Sequence, residues 1–223
     1  MEVVYEDNHI IVVSKSSGEI VQGDKTGDEP LSETVKKYIK EKYQKPGNVF
    51  LGVVHRLDRP VWGLVVLART SKALSRLNEM FRVGEVHKTY WAIVQSPPQE
   101  PQGRLTHWLV RNEKQNKSYA YSHEVANSKK AILDYRVIGS SDRYTLLEIN
   151  LLTGRHHQIR CQLAAMGCVI KGDLKYGAKR SNPDGSIGLL SRKVELVHPV
   201  SKELIRLEAP LPNDRLWKVL AGE

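Results

Sequence analysis

A chain of 223 residues, 40% hydrophobic and 26% charged, is long enough to bury a core, and this composition argues against intrinsic disorder. Lys and Arg outnumber Asp and Glu by 34 to 25, a net charge of +9, which favours a polyanionic partner because each neutralised phosphate releases condensed counterions. The opening Met1–Asp7 has no basic region ahead of an apolar one, no apolar run reaches membrane-spanning length, and no basic amphipathic helix stands beside an anchor. These features argue against a secretory leader and against membrane association, and a cytosolic protein is expected. Two cysteines, Cys161 and Cys168, are too few for a disulfide scaffold and match no zinc spacing, so buried free thiols are expected.

Val3–Glu6 and Ile10–Ser14 read as short strands around a turn at Asp7-Asn8, followed by a polar loop over Gln22–Pro30. Leu31, Val35, Tyr38, Ile39 and Tyr43 keep a helical period, and Lys45-Pro46-Gly47 stops it. Leu64–Ala68 is an apolar run suited to a buried strand. Thr70 or Ser71 can cap a helix with Leu74, Leu77, Met80 and Phe81 on one face and Gly84 at its end. Lys88–Val94 alternates as a strand, Pro97–Gly103 reads as a surface loop, and alternation resumes over Ala131–Val137 and Tyr144–Asn150. A helix is predicted over His157–Met166, with Ile159, Leu163 and Met166 inward and Gly167 after its end. Lys193–Val197 and Leu204–Leu207 close the chain as strands around His198-Pro199. No repeat and no clean domain boundary stands out. The order of elements predicts one mixed α+β domain with a largely antiparallel sheet flanked by helices.

Three segments carry chemistry. His55-Arg56-Leu57-Asp58-Arg59-Pro60 packs charges around one Leu between apolar stretches, and flanking arginines favour an ionised Asp58. Thr153-Gly154-Arg155-His156-His157-Gln158-Ile159-Arg160 leads into a helix. A cation there opposes the helix dipole and calls for an anionic partner, a phosphate or a carboxylate. His156 and His157, adjacent on a helix, are not expected to share a face, which argues against a metal site. From Thr153 to Arg180 the cations Arg155, Arg160, Lys171, Lys175, Lys179 and Arg180 stand against a single acid, Asp173, and predict a phosphate track. In Lys88-Thr89-Tyr90-Trp91, the two aromatics point to opposite faces of a strand, so one is expected in the core and the other toward a cleft or a base.

In this order the segments resemble the motifs of RluA-type pseudouridine synthases: His55-Arg56-Leu57-Asp58 with Gly63-Leu64, Lys88-Thr89-Tyr90 with Ala92 and Val94, and Thr153-Gly154-Arg155 through Arg160 with Leu163, Gly167, Gly172-Asp173 and Tyr176-Gly177. The opening Tyr5–Lys15 and the tail Leu196-Val197-His198-Pro199 fit as well, so the resemblance covers nearly the whole chain. It implies a single catalytic domain over residues 1–223 with a central RNA-binding cleft and without a separate N-terminal RNA-binding module. It implies Asp58 as the essential carboxylate, Arg155 as its ion-pair partner, and Tyr90 against the uracil. Ile159 would touch the base and Arg56 would fill the gap left by the extruded uridine. His55, Arg160, Lys171 and Lys175 would contact substrate. The partner would be rRNA or tRNA, with no cofactor, no metal, no obligatory protein partner and a monomeric state. Val61-Trp62, Gln162 and Leu189-Leu190 depart from the family pattern at positions expected to touch substrate. A glycosidase or nucleosidase would need a second working carboxylate, which does not stand out. A non-catalytic RNA-binding or ribosome-assembly factor would be expected to lose Asp58, Tyr90 or Arg155, and all three are present.

Overall fold

The computed structural model describes residues 1–223. In chain order the elements are β1 (Glu2–Glu6), β2 (Ile10–Lys15), α1 (Leu31–Lys42), β3 (Gly52–Val53), β4 (Trp62–Ala68), α2 (Ser71–Val83), β5 (His87–Val94), β6 (Gln102–Asn112), β7 (Lys117–Tyr121), β8 (Lys129–Ser140), β9 (Thr145–Leu151), α3 (Gln158–Ala165), a 3-10 turn (Leu174–Tyr176), β10 (Leu189–Val197), β11 (Leu204–Glu208) and α4 (Arg215–Ala221). The α+β class with a mostly antiparallel sheet is as expected. The chain divides into two compact units, Met1–Val86 with Lys193–Pro210, and His87–Arg192 with Leu211–Glu223, a division that no composition shift marks.

In the first unit, β2 pairs antiparallel with both β1 and β4, and β3 adds to β4. Ile10–Val13 and Leu64–Ala68 are fully buried, so these strands are covered on both faces, which is why they read as unbroken apolar runs. Thr70 caps α2 by accepting the Ala73 N–H at 3.1 Å. Leu77 and Met80 face inward, whereas Leu74 and Phe81 are half-buried. On α1, Leu31, Val35 and Ile39 form the buried stripe. The final strands behave as predicted, β10 pairing with β11 across the His198-Pro199 turn.

In the second unit the sheet runs β5-β9-β8-β6-β7, every pair antiparallel. Its covered face carries Tyr90, Ala92, Leu147, Ile149, Leu133 and Leu109. The helix after Arg155 is Gln158–Ala165, with Ile159 and Leu163 buried and Met166 only half-buried. At Gly139, within a bulge of β8, a Cβ would lie 2.1 Å from the backbone oxygen of Leu220, so only glycine lets α4 seat against the strand. The segment read as a loop over Pro97–Gly103 already enters β6 at Gln102, and β6, β7 and α4 had no prediction of their own. Both cysteines are free and buried, and burial pushes the Cys161 thiol up to about 11. No helix is long and apolar enough to cross a membrane.

Candidate active-site residues

Asp58 sits in the first unit on the loop between β3 and β4, half-buried, with its carbonyl accepting the Val61 N–H at 3.0 Å in a tight turn. That loop is tied from several directions. His55 Nε2 accepts the Val66 N–H at 2.9 Å and its ring stacks on Phe81 at 4.7 Å, so the imidazole takes up a β4 donor just past the two residues that β3 pairs. The Gly18 N–H donates to the Arg59 carbonyl at 2.8 Å. Lys15, 1% exposed, places Nζ against the carbonyls of Ser16, Arg59 and Val61 at 2.8, 3.1 and 2.7 Å. Its strand partner is Gly63, whose φ of 111° lies where a side chain would be strained. Val61, one of the family departures, is 2% exposed and packs in the core.

Arg59 turns to the preceding loop, pairing with Asp28 at 2.7 Å and donating to Thr26 Oγ1 at 2.9 Å. A buried cation, Lys15, lies beneath the Asp58 loop. Burial lowers its pKa to about 8, against the opposing attraction of Glu19 and Asp58. Its sequence signals are a lysine ending the apolar strand Ile10–Lys15 and its place in the opening that fits the family. Lys15→Met keeps the stem but removes three donors, and is expected to destabilise the protein by about 2–4 kcal/mol because buried carbonyls lose their partner. In the wild type the folded state gives up this proton before the unfolded state does, so stability rises with pH from about 8 towards 10.5. Urea midpoints across that window should show the rise in the wild type and its loss in Lys15→Met.

In the second unit, Tyr90 is the aromatic on the covered face, 7% exposed. Trp91 lies on the other face, with the Arg192 guanidinium 4.7 Å from its ring and Glu148 3.4 Å from Nε1. Arg155 is exposed and donates from Nε to the Lys130 carbonyl at 3.0 Å. The loop before it is shaped by Gln158, whose Oε1 accepts from Thr153 Oγ1 at 2.8 Å and from the Arg155 N–H at 3.0 Å. Lys88 stands at the same end of the sheet: a Cβ on Gly154 would lie 3.5 Å from its Nζ, and burial lowers its pKa.

Arg160 corrects the expectation that it contacts RNA. It is 5% exposed and grips Asp173, itself 1% exposed, through Nε at 2.7 Å and Nη2 at 2.8 Å. Nη1 donates to His157 Nε2 at 3.2 Å, which places the proton of a neutral imidazole on Nδ1, facing the Tyr176 oxygen at 2.9 Å. That oxygen also accepts the Ser118 N–H at 2.8 Å. His157 precedes the helix in a left-handed conformation, φ 52°, and its ring stacks on His156 at 3.8 Å, so the expectation that the two histidines diverge does not hold. They belong to a loop, where helical geometry does not apply.

The phosphate track is also divided. The Lys171 N–H bonds the Ile93 carbonyl at 2.8 Å, at one end of the sheet, and its amine meets Asn182. Lys175 donates to the Asn116 carbonyl at 3.0 Å, in the turn after β6 at the other end. Lys179 and Arg180 are exposed, and Ile159 is 5% exposed. Gln162 and Leu190, 0% and 1% exposed, are core positions. Gln162 Nε2 faces His107 Nδ1 at 3.0 Å and the carbonyls of Leu105 and Ala131 at 3.3 Å, tying α3 to β6 and β8.

The RNA pseudouridylate synthase family model matches residues 9–165, a stretch that contains Asp58, Tyr90 and Arg155. An uncharacterised RNA pseudouridine synthase of Bacillus subtilis is 30% identical over 224 residues, 96% of this chain and 70% of that protein. The ribosomal large subunit pseudouridine synthase D of Pseudomonas aeruginosa is 31% identical over 233 residues, 97% of this chain and 70% of that protein. The solved structure of human RNA pseudouridylate synthase domain containing 4 has the same fold, with a TM-score of 0.81 at 23% identity over 98% of this chain and 91% of that one. The family match from β2 to the end of α3, with relatives alike along nearly the whole chain, shows that this chain belongs to the RNA pseudouridylate synthase family and is an RNA pseudouridine synthase, an isomerase.

Proposed function

We propose that the chain converts a uridine of structured RNA to pseudouridine with Asp58 as the essential carboxylate and without a cofactor or metal. The observation that carries this reading is the tethering of the Asp58 loop by Lys15, His55 and Gly18, which holds a half-buried carboxylate in one place. Ribosomal RNA is the favoured substrate, because relatives carry the name of ribosomal large subunit synthases, with transfer RNA as the alternative. The C1′–N1 bond breaks, the uracil turns, a C1′–C5 bond forms, the C5 proton leaves and N1 gains one. Asp58 either attacks covalently or takes the C2′ proton.

Arg155 keeps Asp58 ionised and aimed by Coulomb attraction. Tyr90 packs against the uracil and assists removal of the C5 proton, while Ile159 supplies an apolar contact. Arg56, which is exposed, fills the stack the uridine vacates, since a paired nucleotide must leave its stack to be reached. Lys171 and Lys175 neutralise separate phosphates. The enzyme works as a monomer in the cytoplasm. The test uses ribosomal RNA transcripts tritiated at uridine C5. A synthase releases tritium without freeing uracil, a nucleosidase frees uracil, and a binding protein releases neither. Pseudouridine mapping in RNA from a deletion strain then separates ribosomal from transfer RNA targets.

A further inference from the structure

A row of side chains on the open face of the second unit's sheet has no part in the chemistry above. Trp108 on β6 stands directly opposite Tyr121 on β7 and opposite Lys130 on β8, so the three project from one face as cross-strand neighbours. The other face of these strands is filled, with Leu109 and Ala131 buried against Cys161 and Tyr176. Tyr121 is 41% exposed, and β7 ends the sheet order, so nothing in the chain continues the sheet past it. Lys130 Nζ lies 5.8 Å from the Trp108 ring, and its carbonyl accepts Arg155 Nε at 3.0 Å. At the start of the same edge strand, Lys117 places its amine between the ring of Tyr119, 39% exposed, at 5.4 Å and that of Tyr176 at 5.2 Å.

We propose that Trp108 and Tyr121 form a stacking subsite for unpaired bases next to the target uridine, with Lys130 and Lys117 neutralising the phosphates between them. The inference rests on the reading that RNA is the substrate, and adds where a flanking single strand lies. Aromatic rings interleaved with cations are what an unpaired strand needs, because every base offers a π-face and every link a charge. Tyr121 is exposed and Trp108 half-buried on a face that no other element fills, which leaves ring surface available to a ligand. The Arg155–Lys130 bond puts one end of the row beside the residue proposed to aim Asp58, so the row can take up the neighbouring nucleotides.

The test compares Trp108→Ala/Tyr121→Ala with Trp108→Phe/Tyr121→Phe in the full chain. The probes are a fluorescein-labelled single-stranded RNA of about 12 nucleotides, within the site size of single-strand binders, and a duplex of the same length. The alanine pair is expected to lose about five- to hundred-fold in affinity for the single strand, from the stacking free energy of one base. The phenylalanine pair should stay close to the wild type, duplex binding should change little, and the salt slope should be unchanged because no charge is removed. Oligouridine should quench tryptophan fluorescence in the wild type, and Trp108→Phe alone should reduce that quenching, whereas unchanged quenching counts against the subsite. Unaltered binding by the alanine pair overturns the subsite, as does an equal loss in the phenylalanine pair or on the duplex. A change in sedimentation with RNA binding intact assigns the patch to a protein contact instead and also overturns it. If the alanine pair does not fold, the quenching measurement decides. A wild type that neither binds nor converts RNA sinks the functional reading itself, whereas wild-type conversion with an unaffected alanine pair sinks only this subsite.

Discussion

Asp58→Asn is expected to reduce tritium release by at least about a thousand-fold, within the range that a positioned acid–base group contributes, and to background if the carboxylate forms a covalent bond. Asparagine keeps the shape and loses both the charge and the basicity. The loop is also tethered through other groups: Lys15 bonds main-chain carbonyls, His55 bonds the Val66 N–H, and Gly18 bonds the Arg59 carbonyl. The variant should therefore remain folded and bind RNA within about two-fold, a change too small to mark a lost phosphate contact. Conversion by purified Asp58→Asn at a wild-type rate would falsify the mechanism. A parallel loss of stability and binding would instead assign Asp58 to the scaffold.

Arg160→Ala should have the largest effect on stability, about 3–5 kcal/mol, because it strands the Asp173 carboxylate in a buried site with its two charged hydrogen bonds gone. His157 loses the donor to its Nε2 at the same time, which releases the ring from its fixed proton arrangement. Replacing both charges, Arg160→Met with Asp173→Leu, should recover much of the loss, since a matched apolar pair costs less than one unpaired charge. RNA binding supplies the opposing measurement. A phosphate contact would add about 0.7 to the log–log salt slope, so a folded Arg160→Met/Asp173→Leu protein with an unchanged slope agrees with a buried structural role. A slope reduced by that amount, with little loss of stability in Arg160→Ala, would restore the arginine to the RNA surface.

The helices α1 and α2 and the strands β2 and β4 were legible because local signals agreed with burial. Leu31, Val35 and Ile39 keep one helical stripe, Thr70 supplies a cap, and the apolar runs Ile10–Val13 and Leu64–Ala68 are covered on both faces. β6 and β7 escaped because one of their faces is open. Polar and aromatic residues there stand beside cations instead of alternating cleanly with apolar ones, and an edge strand needs no strong pattern to be held by its neighbour. α4 is too short for a period to show. Its place is set by Gly139, where the missing Cβ admits the Leu220 carbonyl.

The sequence by itself determined which residues carry the family's motifs, that they lie near strand and helix ends, and that Tyr90 and Trp91 point to opposite faces. Strand geometry dictates that last point, but the backbone repeat is indifferent to which side another element covers. Only the tertiary structure put Tyr90 on the covered face and left Trp91 beside Arg192. Charges obey the same division. The list of cations from Arg155 to Arg180 predicted one phosphate track, yet Arg160 turns inward to Asp173, and Lys171 and Lys175 stand at opposite ends of the sheet. Arg59 likewise leaves Asp58 for Asp28, while Lys15, distant in sequence, comes to lie under the loop. A charged side chain takes the partner that removes most of its desolvation cost, and that partner is chosen by long-range packing, which the order of residues along the chain does not display.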